Sequence, residues 1–257
     1  MTERQESARL DVPWTRSPAA CVARTGIVCG VLGPLMDVYT DRRVLGREHL
    51  DGLDAPALFV ANHASHMDTP VILRALPRRW RERTAVAAAT DYFYSDRRLS
   101  MTVGLVFGTV PLERKGVGAL NGSIPLINQL VVDRWSLLIY AEGTRSRDGV
   151  VGRLRPGAAV LATEYGLPIV PIHVSGTYET MPTGRSWMTR APGRGLGGRR
   201  PIQVRFGAPI RPEPGAHRKD VMERVRLFLQ ESGATTTPSA RVEPGESPSS
   251  PAAPRDA

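Results

Sequence analysis

The chain has 257 residues, a formal net charge of +9 and a pI near 10.3, and its only lysines are Lys115 and Lys219, so the basic side is almost all arginine. That length supports one well-cored domain with a small appendage, and the charge favours anionic partners such as acidic phospholipids, nucleic acid or phosphorylated substrates. Aromatics make up 6% of the residues and the two cysteines, Cys21 and Cys29, have no companion His/Cys cluster, which argues against aromatic stacking platforms, a zinc site and a disulfide framework.

The first 17 residues mix acids and bases without an apolar core, so no secretory leader is expected. Residues 25–36 (TGIVCGVLGPLM) are apolar but shorter than the roughly 20 residues a bilayer span requires. They are expected to form a buried helix or one lying in the membrane interface. From about 40 to 232, short apolar runs take turns with helical patterns. Strands are predicted at 57–61, 85–89, 109–112, 137–141, 168–174 and 202–206, and helices at 69–76, 119–132, 157–165 and 217–230. Most of the strand runs are continuously apolar, which suits a sheet covered on both faces. The alternation argues for an α/β layered domain built on a mostly buried sheet. Residues 181–200 are rich in Gly, Pro and Arg and read as a surface loop. The stretch 233–257 is rich in Pro, Ser, Ala and Thr and should be disordered. The chain thus divides into an N-terminal segment (1–40), a core domain (41–232) and a tail (233–257).

Four polar blocks interrupt the apolar runs. The first, Asn62-His63-Ala64-Ser65-His66-Met67-Asp68, follows a predicted strand, and α/β sheets bind ligands at the carboxyl ends of their strands. A histidine can take a proton from a hydroxyl near neutral pH, and an aspartate on its other ring nitrogen would fix the tautomer. Five residues along a helix turn through about 140°, so His63 and Asp68 meet only if the histidine lies in the strand-to-helix turn. The same Asn, Ser and Asp could simply cap the helix. Ser65 lacks a Gly-x-Ser-x-Gly elbow and is not expected to be a nucleophile. The second block, Gly108-Thr109-Val110-Pro111-Leu112-Glu113-Arg114, ends on a base that could bind phosphate or stay solvated. The third, Glu142-Gly143-Thr144-Arg145-Ser146, offers a close backbone approach and several donors, or else a plain turn. In the fourth, Ile169-Val170-Pro171-Ile172, the proline should mark an edge or an irregularity in the sheet.

In this order and at these separations the blocks resemble the glycerolipid acyltransferase family that includes the 1-acyl-glycerol-3-phosphate (lysophosphatidic acid) acyltransferases. Asn62, His63, Ser65 and Asp68 match its first motif, Gly108 to Arg114 its second, Glu142 to Ser146 its third, and Val170-Pro171-Ile172 its fourth. The resemblance implies that His63 is a general base oriented by Asp68. It further implies that Asn62, Ser65, Gly108, Arg114, Glu142, Gly143, Thr144 and Arg145 serve substrate binding, joined by Arg155. It implies an acyl donor (acyl-CoA or acyl carrier protein), a lysophospholipid acceptor, no metal and no bound cofactor. It implies an α/β fold with a mixed, mostly buried sheet flanked by helices, and an N-terminal helix touching the cytoplasmic face of a membrane, peripherally or shallowly inserted, fits the same pattern. Other lyso-lipids or glycerol 3-phosphate are alternative acceptors. A non-catalytic anionic-lipid or nucleic-acid binding module is the reading that charge alone would give, but no nucleic-acid-binding signature accompanies it.

Overall fold

Leu58, Phe59, Val60 and Ala61 form a strand, β2 (Leu58–Ala61), in which every side chain is fully buried. Leu58 and Val60 enter the apolar core on one face of the sheet, and Phe59 and Ala61 enter the core on the other. A strand covered on both faces needs an apolar residue at each position, hence the unbroken run in the sequence. Full burial of each Leu, Phe or Val side chain is worth about 1.5–3 kcal/mol. The computed structural model that gives this picture describes residues 11–54, 56–89, 97–112, 123–193, 198–213 and 215–237.

β2 pairs in parallel with β5 (Ser136–Tyr140) on one side and with β6 (Ile169–Ser175) on the other. The seven-stranded sheet runs β1-β7-β6-β2-β5-β3-β4, where β1 is Thr40–Leu45, β3 Thr84–Ala89, β4 Thr109–Leu112 and β7 Arg200–Phe206. From β6 to β4 all pairings are parallel, whereas β7 runs antiparallel to β6 and carries β1 parallel to itself, so the sheet is mixed. Helices α1 (Pro18–Asp37) and α2 (Asp68–Ala75) pack on the Phe59 face. α3 (Arg97–Phe107) lies beside α1, while α4 (Ile124–Val132), α5 (Gly157–Tyr165) and α6 (Arg218–Glu231) cover the Leu58 face. Short helical turns at Arg78–Arg81 and Thr177–Thr180 complete the connections.

Two elements escape the sequence reading. β1 (TDRRVL) alternates buried and exposed positions at the sheet edge and carries three charges, so it shows no apolar run. The second is α3, which leads through Gly108 into β4. The start of the helix expected at 119–132 lies outside the described residues, and Ile124–Val132 of it is seen. Pro171 stands inside the sheet, not at its edge, and it marks an irregularity. Ile172 pairs with Phe206 but Ile169 pairs with Ile210, so the β7 side holds one extra residue opposite the proline. Such a bulge absorbs the missing N–H. Gly207 sits at the bulge, and a Cβ there would come within 2.7 Å of the Pro171 ring and 2.6 Å of Phe228.

The N-terminal apolar segment is longer than its sequence signal. Ser17 caps it by accepting the Ala20 N–H at 3.3 Å, and Pro18 occupies the first turn. The helix then runs 20 residues to Asp37, passing through a wide π-helical stretch at Ile27–Leu32 just before Pro34. That widened turn accommodates a residue with no N–H to donate. By length and composition α1 could cross a bilayer. Its attachments are to the domain: Arg24 is 1% exposed and donates to the carbonyls of Thr15, Gly104 and Leu105. Asp37 pairs with both ends of the Arg74 guanidinium at 2.6 Å, which lowers the aspartate pKa. Val22 and Val31 remain 58% and 61% exposed on the outer side. At the other terminus, residues 233–237 extend the ordered fold into the Pro/Ser/Ala-rich stretch, held by backbone hydrogen bonds to Val151 and Leu229.

Candidate active site

His63 occupies the turn between β2 and α2, and Asp68 opens α2, the arrangement their spacing requires if the two are to meet. The imidazole Nδ1 lies 2.8 Å from Asp68 Oδ2. That same carboxylate oxygen accepts the backbone N–H groups of Ala64 and Ser65 at 2.7 and 2.8 Å, so the turn wraps around it. An oxygen that accepts from two amides also accepts from the ring, which makes Nδ1 the N–H and leaves Nε2 with the lone pair. Asp68 is fully buried while the His63 side chain is 17% exposed, so the ring stands between a closed interior and an open edge.

The ring has a floor. Tyr140, the last residue of β5, stacks on it with centroids 3.8 Å apart and planes 14° from parallel. The Tyr140 hydroxyl bonds Thr69 Oγ1 at 2.6 Å, and burial, followed by the Asp68 charge, pushes its pKa well above the usual phenol value. Tyr140 therefore remains a neutral aromatic surface against which an imidazolium could rest. The sequence signal for it is the strand alternation that puts Leu138 and Tyr140 on one face, two residues short of Glu142.

Glu142 is a bridge: Oε1 accepts His63 N–H at 2.9 Å and Oε2 accepts Gly152 N–H at 2.8 Å. Burial raises its pKa, and the two amide hydrogen bonds oppose that rise. Ser146 N–H donates to the His63 carbonyl at 2.8 Å, so the loop holds the histidine backbone on both sides. Gly143 has φ 71°, and a Cβ there would lie 2.7 Å from Arg155 Nε. Arg155 in turn donates to the Glu142 carbonyl at 3.1 Å. Thr144 is exposed, and Arg145 lies close enough to His66 to lower that imidazole's pKa, after partial burial of the ring as the first cause.

His63, Asp68, Glu142, Gly143, Thr144, Arg145 and Arg155 thus gather at the carboxyl ends of β2 and β5. Asn62 is adjacent but engaged, its amide donating to the Val174 carbonyl at 2.9 Å and accepting the Val174 N–H at 2.8 Å. Ser65 is fully buried, donates to the Met181 carbonyl at 2.7 Å and accepts from Met67 N–H. Gly108 is not brought to this edge. It precedes β4, at the opposite end of the parallel strands, with φ 69°, and its lack of a Cβ leaves room for the Arg24 guanidinium, which a Cβ would approach to 2.9 Å. Arg114 lies outside the described residues. Among the described residues no group of three or more His, Cys, Asp or Glu is arranged to hold a metal ion.

This fold has a solved counterpart. The crystal structure of the 1-acyl-sn-glycerophosphate (LPA) acyltransferase PlsC from Thermotoga maritima superposes with a TM-score of 0.60 at 22% identity, covering 82% of this chain and 80% of that one. Similarity in sequence extends to the chloroplastic 1-acyl-sn-glycerol-3-phosphate acyltransferase BAT2 of Brassica napus, 32% identical over 143 residues, which are 55% of this chain and 39% of the relative. The human 1-acyl-sn-glycerol-3-phosphate acyltransferase beta is 28% identical over 134 residues, 52% of this chain and 46% of the relative. The matched region therefore spans less than half the length of these curated relatives. The model of the Acyltransferase family matches residues 41–175, more than half of the chain. The chain belongs to the acyltransferase family.

Proposed function

We propose that the protein moves a fatty acyl chain from a thioester donor, acyl-CoA or acyl carrier protein, to the free hydroxyl of 1-acyl-glycerol-3-phosphate, giving phosphatidic acid. The observation that carries this reading is the ring nitrogen contact of 2.8 Å between His63 and buried Asp68 at the carboxyl end of β2. Nε2 of His63 takes the acceptor's hydroxyl proton as the oxygen attacks the thioester carbonyl. The tetrahedral intermediate then expels the thiolate, which receives the proton from the imidazolium, so an ester and a free thiol result. Asp68 keeps Nδ1 protonated and stabilises the cation. Arg145, Arg155 and Thr144, with Arg114 from the second motif, hold the acceptor phosphate through charge-assisted hydrogen bonds. We assign Asn62, Ser65 and Glu142 to positioning the histidine turn, because each already spends its polar atoms on backbone groups.

The same reading puts α1 on a membrane surface without crossing it. Spanning would strip Arg24 from three carbonyls and Asp37 from Arg74, whereas lying flat keeps both and lets Val22 and Val31 meet lipid. The cytoplasmic leaflet, rich in anionic lipid, would suit the basic chain.

Acyl transfer by purified protein tests this, with lysophosphatidate, other lyso-lipids and glycerol 3-phosphate as acceptors and acyl-CoA or acyl carrier protein as donors. Wild type should prefer lysophosphatidate, and His63→Ala should lose about a hundredfold or more in kcat. Transfer that survives the substitution removes the general-base assignment, and no transfer to any acceptor favours a binding module.

A further inference from the structure

The few residues beyond α6 reach back toward the catalytic turn. Gly233, at φ 93°, turns the chain out of the helix, and Ala234 N–H donates to the Leu229 carbonyl. The chain then pairs with Val151 like a short parallel strand. Val151 N–H donates to the Thr235 carbonyl at 2.8 Å, and Thr237 N–H donates to the Val151 carbonyl at 2.9 Å. Gln230 Nε2 donates to Thr236 Oγ1 at 2.6 Å, which ties the stretch back to α6.

The next residue after Val151 is Gly152, whose N–H holds Glu142 Oε2 while Oε1 holds His63 N–H. Ser146, in the same loop, holds the His63 carbonyl. The histidine backbone is therefore gripped by residues 142–152, and the far end of that loop is gripped by residues 235–237. Between them lies a cavity of about 130 Å³, lined by Asn62, Ala64, Gly149, Val151, Ala234 and Thr235 among others. The Val151 side chain is buried in the core on the Leu58 face, and the backbone bonds to residues 235–237 fix the loop beyond that packing, on the side where the cavity leaves it open.

We propose that residues 233–237 are a strap that positions His63 through Val151, Gly152 and Glu142. The strap holds Val151 mainly by backbone groups, so its side chains can vary while the amide of residue 237 cannot be lost. The kinetic part of this inference rests on the acyl-transfer reading; the structural part does not. In the full chain, Thr237→Pro deletes that amide, and Thr237→Ala keeps it while removing a side-chain contact of 3.4 Å to the Val151 carbonyl. Gly233→Val is a second route, because a β-branched residue at this positive φ misdirects the strap without touching Val151.

The measurements are hydrogen exchange of segments 142–152 and 62–68, and kcat and KM of lysophosphatidate acylation normalised to folded protein. Thr237→Pro and Gly233→Val should speed exchange in both segments by about fivefold, the weight of one hydrogen bond. They should lower kcat by a similar factor at unchanged KM, with Thr237→Ala matching wild type. Faster exchange confined to 142–152, or a kcat per folded molecule that does not move, overturns the proposal. If wild type transfers no acyl group, exchange in 62–68 still decides whether the strap reaches the histidine.

Discussion

Asp68 Oδ2 carries three N–H contacts, and its neighbour Tyr140 gives the imidazole a flat neutral support. An aromatic pair of this kind is worth about 0.5–1.5 kcal/mol beyond burial, so Tyr140→Ala should lower kcat about two- to tenfold. Tyr140→Phe keeps the ring and should stay near wild type; steady-state kinetics that show the two variants equally impaired would shift the role to the hydroxyl and its Thr69 bond. His63 and Asp68 stood out in the sequence by chemistry, with helix capping as the rival reading of the same residues, and the ordered family motifs favoured the pair. Tyr140 was not, since an aromatic at the end of a buried strand looks like core. Nor could the sequence show that Glu142 and Asn62 bond backbone groups 79 and 112 residues away. Their polarity advertises a site, but only the fold shows which partners use it up.

At the level of elements, apolar runs located β2 to β6, the alternating stretch IQVRF located β7 and helical patterns located α5 and α6, while β1 stayed hidden behind its charges. The apolar signal of α1 begins only after Arg24, because the charge interrupts the run, yet Arg24 is an internal fastener, 1% exposed with its pKa lowered first by burial. Arg24→Met retains most of the stem but leaves the carbonyls of Leu105 and Thr15 without this donor, while the Gly104 carbonyl keeps the Gly108 N–H. Unsatisfied buried groups cost about 1–3 kcal/mol each, so stability should drop by about 2 kcal/mol and Tm by roughly 4–8 °C. Thermal unfolding checks this, and an unchanged Tm would mean that water reaches those carbonyls. Gly108, which the family pattern pointed to as a substrate contact, belongs to this same junction and answers to sterics against Arg24.

For the molecule as a whole, a basic surface and an outward row of valines on α1 lead to a membrane test. Vesicles containing anionic lipid should bind the protein better than neutral ones, and salt should weaken that binding. Replacing Val22 and Val31 by Asp should reduce binding about tenfold or more, and flotation that ignores both changes would place the membrane contact elsewhere. The α/β class was readable from alternation and apolar runs and the mixed character of the sheet from the family resemblance, whereas strand order was not readable, because pairing between distant runs leaves no local trace. That distance also bears on how the molecule comes into being. β2 sits between β5 and β6, so the turn with the histidine waits for Glu142 and then for Val174 before it is held. Contacts so far apart in sequence form late and slowly. A nascent chain must extend past residue 174 before the turn is held, and past Phe206 before the sheet is complete, so the proposed acyl transfer stays silent during synthesis until then.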